Sequence, residues 1–128
     1  MPADREPVNA PNEPEAIGPY VHAVRVGELL FCSGQIPLDP RTGEIVPGGV
    51  AEQAGRCLEN LGTVCVAAGA GLGDAVKVTI YLTDMGDFAE VNEVYGTFFE
   101  DSPPARVAIG VAALPRGARV EMDAIVAL

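Results

Sequence analysis

Residues Ala75–Leu82 alternate without a break: Val76, Val78, Ile80 and Leu82 fall on one side, and Lys77, Thr79 and Tyr81 on the other. A period of two marks a strand with one face on a core. Residues 21–26 and 29–35 also read as strands, joined by a tight turn at Gly27 and Glu28. Over residues 50–68 the period changes. Val50, Ala54, Cys57, Leu58, Leu61, Val64 and Ala68 share one stripe, while Glu52, Arg56 and Glu59 lie off it, which predicts a helix. Gly69, Gly71 and Gly73 end that helix, with Gly69 placed for a left-handed cap. A second helix is predicted over residues 87–99, with Phe88, Val91, Tyr95 and Phe98 inward and Asp84 or Asp87 as its cap. Residues 105–111 and 119–127 complete the strands, and residues 37–49, with three Pro and three Gly, form a loop.

The predicted order is β-β-α-β-α-β-β, an α+β fold with two helices on one face of a mixed sheet. Residues 1–15 are expected to be a flexible segment, because Pro2, Pro7, Pro11 and Pro14 interrupt regular structure. Residues 16–128 then form one domain, in keeping with a chain of 128 residues.

Composition adds limits. Hydrophobic residues make up 48% and charged residues 20%, a globular balance. There is no Trp and aromatics are 5%, so the core must be built from Val, Leu, Ile and Ala. A core of such small units favours gaining stability by oligomerisation. Eight Lys and Arg against 18 Asp and Glu give a net charge of −10. That balance argues against nucleic acid as a partner, since polyanions are bound chiefly through Lys and Arg. It also disfavours anionic membranes. No apolar run approaches the ~20 residues of a membrane span.

The three cysteines are Cys32, Cys57 and Cys65. Cys57 and Cys65 would sit ~12 Å apart along one helix, beyond the ~7 Å that a disulfide allows. Free thiols and a polar, proline-rich start without a signal-peptide pattern point to a cytoplasmic protein.

Most motifs fail on context. Gly69, Gly71 and Gly73 resemble a dinucleotide loop, but that loop follows a strand and opens a helix, the reverse of the order here. His22 is the only histidine, so no metal site is expected, and a triad of His22 with Ser33 or Ser102 has no support in the spacing. One cluster survives. Alternation groups Val107, Ile109 and Val111 on one face, expected to pack under the helices, and Arg106, Ala108 and Gly110 on the other. Glu121 and Asp123 also fall away from the helices. If the last two strands pair, Arg106 shares a space with a carboxylate. Either it forms a structural salt bridge with Glu121 or Asp123, or its planar fork grips a substrate carboxylate while the acid handles a proton or a water.

The chain resembles the RidA/YjgF family of reactive-intermediate deaminases, also called the L-PSP family, from Ala16 to Val126. The resemblance rests on Ala16-Ile17-Gly18-Pro19-Tyr20, Ser33-Gly34-Gln35-Ile36-Pro37, residues 78–95, Pro104-Ala105-Arg106, Leu114-Pro115 and residues 120–126, in that order. It implies a chorismate-mutase-like subunit, a homotrimer with clefts between subunits, and cofactor-independent hydrolysis of 2-imino acids to 2-keto acids and ammonia. By the resemblance, Arg106 would bind the substrate carboxylate and Glu121 would place or activate the water. Tyr20 would line the cleft, and Ser33, Gly34 and the backbone at Ala108 would cradle the ligand. Asn92 matches a second-helix Asn. Some members carry Cys where this chain has Ala108, so thiol chemistry is not expected there. Two other functions stay open: a trimeric module that binds a 2-keto acid without turnover, which would need Arg106 but not Glu121, and the endoribonuclease activity ascribed to some relatives, which the net charge of −10 disfavours.

Overall fold

The alternating segments pair into one six-stranded mixed sheet in the order β1-β2-β3-β6-β4-β5. The structure, a computed structural model, describes residues 4–13, 16 and 18–128. The strands are β1 (Arg5–Val8), β2 (Ala23–Val26), β3 (Leu29–Gln35), β4 (Ala75–Leu82), β5 (Ala105–Gly110) and β6 (Val120–Ala127), and the helices are α1 (Val50–Ala67) and α2 (Phe88–Phe98). Only β4 and β5 run parallel, with α2 as the crossover that a parallel pair requires. Among the described residues, no helix is long and apolar enough to cross a membrane.

One face of the sheet is covered. Leu30, Val78, Ile80, Leu82, Val120, Met122 and Val126 are fully buried there beneath Leu58, Leu61 and Val64 of α1 and Val91 of α2. Each such side chain contributes roughly 1.5–3 kcal/mol over leaving it in water. The stripe predicted for α1 is the stripe that is buried, and Gly69 takes the left-handed cap at φ 86°. The opposite face is open, with Leu29, Phe31, Val107 and Ile109 each about two-fifths exposed.

Polar side chains tie down the connections. Buried Asn60 donates to the carbonyl of Leu38 at 3.0 Å and accepts from Arg56 Nε at 2.9 Å, which fastens the loop after β3 to α1. Gln53 Oε1 accepts from the backbone N–H of Arg119 at 2.9 Å. The Arg119 guanidinium pairs with Asp87 at 3.0 Å. The entry to β6 is thereby fixed to both helices.

Several expectations need correction. Arg5–Val8 lies in the stretch expected to lack regular structure, yet it forms strand β1 against β2. Pro7 fits there because β1 is an edge strand, where a missing N–H need not break a ladder. Pro2 and Pro14 lie outside the described residues. The last two strands do not pair: β4 lies between β5 and β6. Val76 is exposed and Ala75 buried, because a bulge between Ala75 and Lys77 turns the strand over. Phe99 fills the core position expected of Phe98, which is more than a third exposed. Asp87 holds Arg119 rather than capping α2, and Asp84 accepts from Gly86 N–H in the turn before it.

The most consequential correction concerns β5. In the parallel register Arg106 stands beside Val78 and Ala108 beside Ile80, both on the covered face. Arg106, Ala108 and Gly110 therefore face the helix side, and Val107 and Ile109 face the open side, the reverse of expectation. Period-two alternation shows which residues share a face but not which face is covered.

Candidate active site in two halves

The acidic half forms where β3 meets β6. The ladder shifts register between Cys32 and Gln35, so the chain bulges at Ser33 and Gly34. A Cβ on Gly34 would collide with the Glu121 carboxylate and lie 3.0 Å from its Cδ. The carboxylate thus rests on bare backbone, a closeness only glycine permits. Burial raises the proton affinity of Glu121 above the usual carboxylate range, and the charge of Asp123 adds to the effect. Tyr81 Oη donates to Asp123 Oδ2 at 2.7 Å. That bond, with burial, pushes the Tyr81 phenol up to about 12.

Ser33 is anchored rather than free: its Oγ donates to the Val21 carbonyl at 2.6 Å, and its N–H to the His22 carbonyl at 2.9 Å. These bonds fix the segment that follows Tyr20. Tyr20 itself is half exposed, and with His22, Asn9 and Glu13 it lines a recess of about 530 Å³. His22 is buried, and its Nδ1 accepts from the N–H of Ala10 at 2.9 Å, so its imidazole serves the fold. Ile17, part of the motif that carries Tyr20, lies outside the described residues. Cys32 is buried on the helix side, where its thiol hydrogen-bonds with that of Cys65, away from Ser33.

The basic half sits at the other end of the sheet. Arg106 Nη1 donates to Asn92 Oδ1 at 2.6 Å. Its guanidinium carbon lies 5.3 Å from the centre of the Phe88 ring and 5.0 Å from that of Tyr95. Such cation–π contacts are worth about 0.5–1 kcal/mol each at exposed sites. Phe88, Asn92 and Tyr95 follow i, i+4, i+7 spacing and so share one face of α2. That spacing was available in the sequence, but Phe88 and Tyr95 read there only as core. Burial raises the Tyr95 phenol, opposed by the Arg106 charge. Ala108, two residues along β5 on the same face as Arg106, is partly buried against the core. Among the described residues no carboxylate pairs with Arg106, so the expected alternative of a salt bridge to Glu121 or Asp123 is not formed.

Arg106 and Glu121 do not meet within the chain. They project from opposite faces of the sheet, on strands two spacings (~10 Å) apart. Tyr20, Ser33 and Gly34 belong to the β2–β3 side with Glu121, and Ala108 belongs with Arg106. Among the described residues no group of three or more His, Cys, Asp or Glu is arranged to hold a metal.

Comparison with known proteins places this geometry in a wider set. The profile of the family described as Endoribonuclease L-PSP matches residues 10–128. Protein DfrA of Myxococcus xanthus is 54% identical over 123 residues, covering 94% of each chain. The 2-iminobutanoate/2-iminopropanoate deaminase of Mus musculus is 51% identical over 121 residues, covering 94% of this chain and 90% of its own. Among solved structures, E. coli TdcF with bound serine superposes with a TM-score of 0.91 at 43% identity, covering 96% of this chain and 98% of that one.

Proposed function

Because the chain belongs to the endoribonuclease L-PSP family, which includes the RidA and YjgF proteins, we propose that it hydrolyses 2-imino acids to 2-keto acids and ammonia, at a cleft built from two copies of the chain. The observation that carries this reading is the separation of Arg106 from Glu121. Each is poised for one task of the reaction, and one chain cannot bring them together. A cleft that joins the Arg106 edge of one copy to the Glu121 face of the next is a heterologous contact, and such contacts form rings when the rotation between copies closes. The arrangement we propose is a homotrimer with three clefts. The open face bearing Leu29, Phe31, Val107 and Ile109 is the apolar surface that assembly would cover.

The chemistry follows from the residues. Asn92, Phe88 and Tyr95 hold the guanidinium from the helix side, which leaves its exposed N–H groups for a carboxylate. With the carboxylate fixed, the C=N carbon is presented to the acid of the neighbouring copy. Glu121 takes a proton from water as the oxygen bonds to that carbon. It returns that proton to nitrogen to give the carbinolamine, then carries the hydroxyl proton to the amino group as the C–N bond breaks and ammonia and the 2-keto acid leave. Water supplies the oxygen and both hydrogens, so nothing is oxidised or reduced. An imine is already electrophilic, so positioning and proton transfer suffice. The backbone at Gly34 and Ala108 would border the ligand, with Tyr20 at the mouth.

Three facts support the reading. A relative at 51% identity bears the deaminase name. A structural neighbour was solved with serine, a small molecule with carboxylate and amino groups. Arg106 as the cation of the site, in a chain of net charge −10, suits a small carboxylate better than a nucleic acid.

The test is to generate 2-iminobutanoate in situ with a dehydratase and follow its loss. Acceleration that Arg106→Ala abolishes is the expected result. No acceleration with 2-keto acid binding intact would leave a carboxylate-binding module that does not turn over.

A further inference from the structure

Glu121 has two tasks, and the second needs a proton in hand. A carboxylate in water, with a pKa of ~4.3, carries almost none at neutral pH. The surroundings of Glu121 therefore decide whether it can serve as an acid, and three of its neighbours are fixed by the sheet. Gly34 of β3 lies under the carboxylate. Tyr81 of β4 stands directly across from it, and Asp123 follows two residues along β6 on the same face. Asp123 is registered against Thr79, yet it is Tyr81 whose hydroxyl it accepts, at 2.7 Å. The bond therefore runs diagonally across the β4–β6 pair.

We propose that Asp123, held in place by Tyr81, is a positioning residue that makes Glu121 retain the proton it takes from water until the step that releases ammonia. This rests on the deaminase reading above. A carboxylate ~7 Å from Glu121 disfavours a second negative charge beside it. The hydroxyl of Tyr81 stops Asp123 from rotating away. The other groups facing Glu121 leave this effect largely unopposed. Thr79 is neutral, Cys57 across the sheet is a buried thiol that burial and the Glu121 charge keep protonated, and no cation of this chain pairs with it among the described residues. In the proposed cleft the opposing charge is Arg106 of the next copy. Substrate changes that balance, because its carboxylate neutralises the guanidinium and leaves Asp123 as the dominant charge. Glu121 would then hold most firmly the proton it has taken from water.

The experiment uses the full chain and two readouts. Carboxyl-carbon NMR of labelled protein, with the Glu121 signal assigned through Glu121→Gln, follows its titration without reference to activity. The pH profile of kcat/KM on 2-iminobutanoate follows its use. Asp123→Asn keeps the acceptor for Tyr81 but removes the charge. It is expected to lower the Glu121 midpoint by about 0.5 to 1 unit and to move the acidic limb of kcat/KM, where Glu121 must be unprotonated to take a proton from water, the same way. Asp123→Glu is expected to restore both. Asp123→Ser removes the same charge and replaces the asparagine variant if that does not fold. An unchanged Glu121 midpoint overturns the proposal, as does an equal loss in the Asn and Glu variants with no shift in the limb. If the wild type shows no deaminase activity, the hydrolysis reading fails, while the NMR arm still decides whether Asp123 governs Glu121.

Discussion

Arg106 and Glu121 are held in opposite ways. Arg106 is exposed at the sheet edge and is steadied by side chains, two rings and an amide from one helix. Glu121 is half buried on the open face, pressed against the backbone of Gly34 with a second carboxylate nearby. The contrast follows from what each group must do. A guanidinium is charged at any working pH, so it needs orientation and gains nothing from burial. A carboxyl that must give and take a proton near neutrality has to be taken partly out of water. Exposure at one half and burial at the other are therefore both expected of a working pair.

The largest effects should come from removing either half. Arg106→Ala and Glu121→Ala are each expected to lower kcat/KM by about 100-fold or more. They should differ in kind. Glu121→Ala keeps 2-keto acid affinity within a few-fold while turnover is lost, and Arg106→Ala loses affinity as well, both read by calorimetry beside steady-state kinetics. Mixing the two inactive variants by joint refolding gives the sharpest test of a site shared between copies. In an equal mixture about a quarter of the clefts would draw an intact Arg106 and an intact Glu121 from different chains. Recovery of about a quarter of wild-type activity is expected, and none at all would return both residues to one chain.

Gly34→Val should come next. The added side chain meets the Glu121 carboxylate, which must swing away to make room. Turnover should fall by about 10- to 100-fold, with affinity for a 2-keto acid falling less, because the acid is displaced and the cation is not. Asn92→Ala should act on the other half and more weakly. It removes one charge-assisted hydrogen bond at an exposed site but leaves both rings in place. An increase in KM of about 5- to 10-fold with kcat nearly constant is expected.

How far the sequence could be read divides along the same line. Helix α1 and strand β4 have one wet and one dry face, so their spacing reveals them, although a single bulge still misplaced Val76. β5 is marked as a strand by alternation, but its two faces are assigned the wrong way round. It is an edge strand with apolar residues on the open face, so hydrophobicity points the wrong way. The insertion of β6 between β3 and β4 is a long-range pairing that no local pattern encodes. Arg106 and Glu121 could be named from the chain. Their placement on opposite faces could not, and it was the assumed pairing of the last two strands that brought them together. Asn92 was singled out only through the family resemblance, and its bond to Arg106 emerges only when α2 is laid across β5.

The smallest effect tests whether a raised carboxyl is particular to the site. Glu13 is buried beside Arg56 and Thr63, and burial pushes it up to about 7 against the lowering effect of both neighbours. It sits in the segment that joins β1 to the recess lined by Tyr20 and His22. The folded chain holds this proton more tightly than the unfolded chain. The resulting stability is complete below about pH 4.5 and is lost as pH rises through about 7. Glu13→Gln removes that dependence. Its Tm should match the wild type near pH 4.5 and exceed it by a few degrees (~2–5 °C) at pH 8, while the pH profile of kcat/KM stays in place. A shift of the activity profile with Glu13→Gln would show that the N-terminal segment, and not only the Asp123–Glu121 pair, tunes the acid. An unchanged profile would leave Glu121 as the carboxyl whose titration the reaction follows, and Glu13 as one that reports only on the fold.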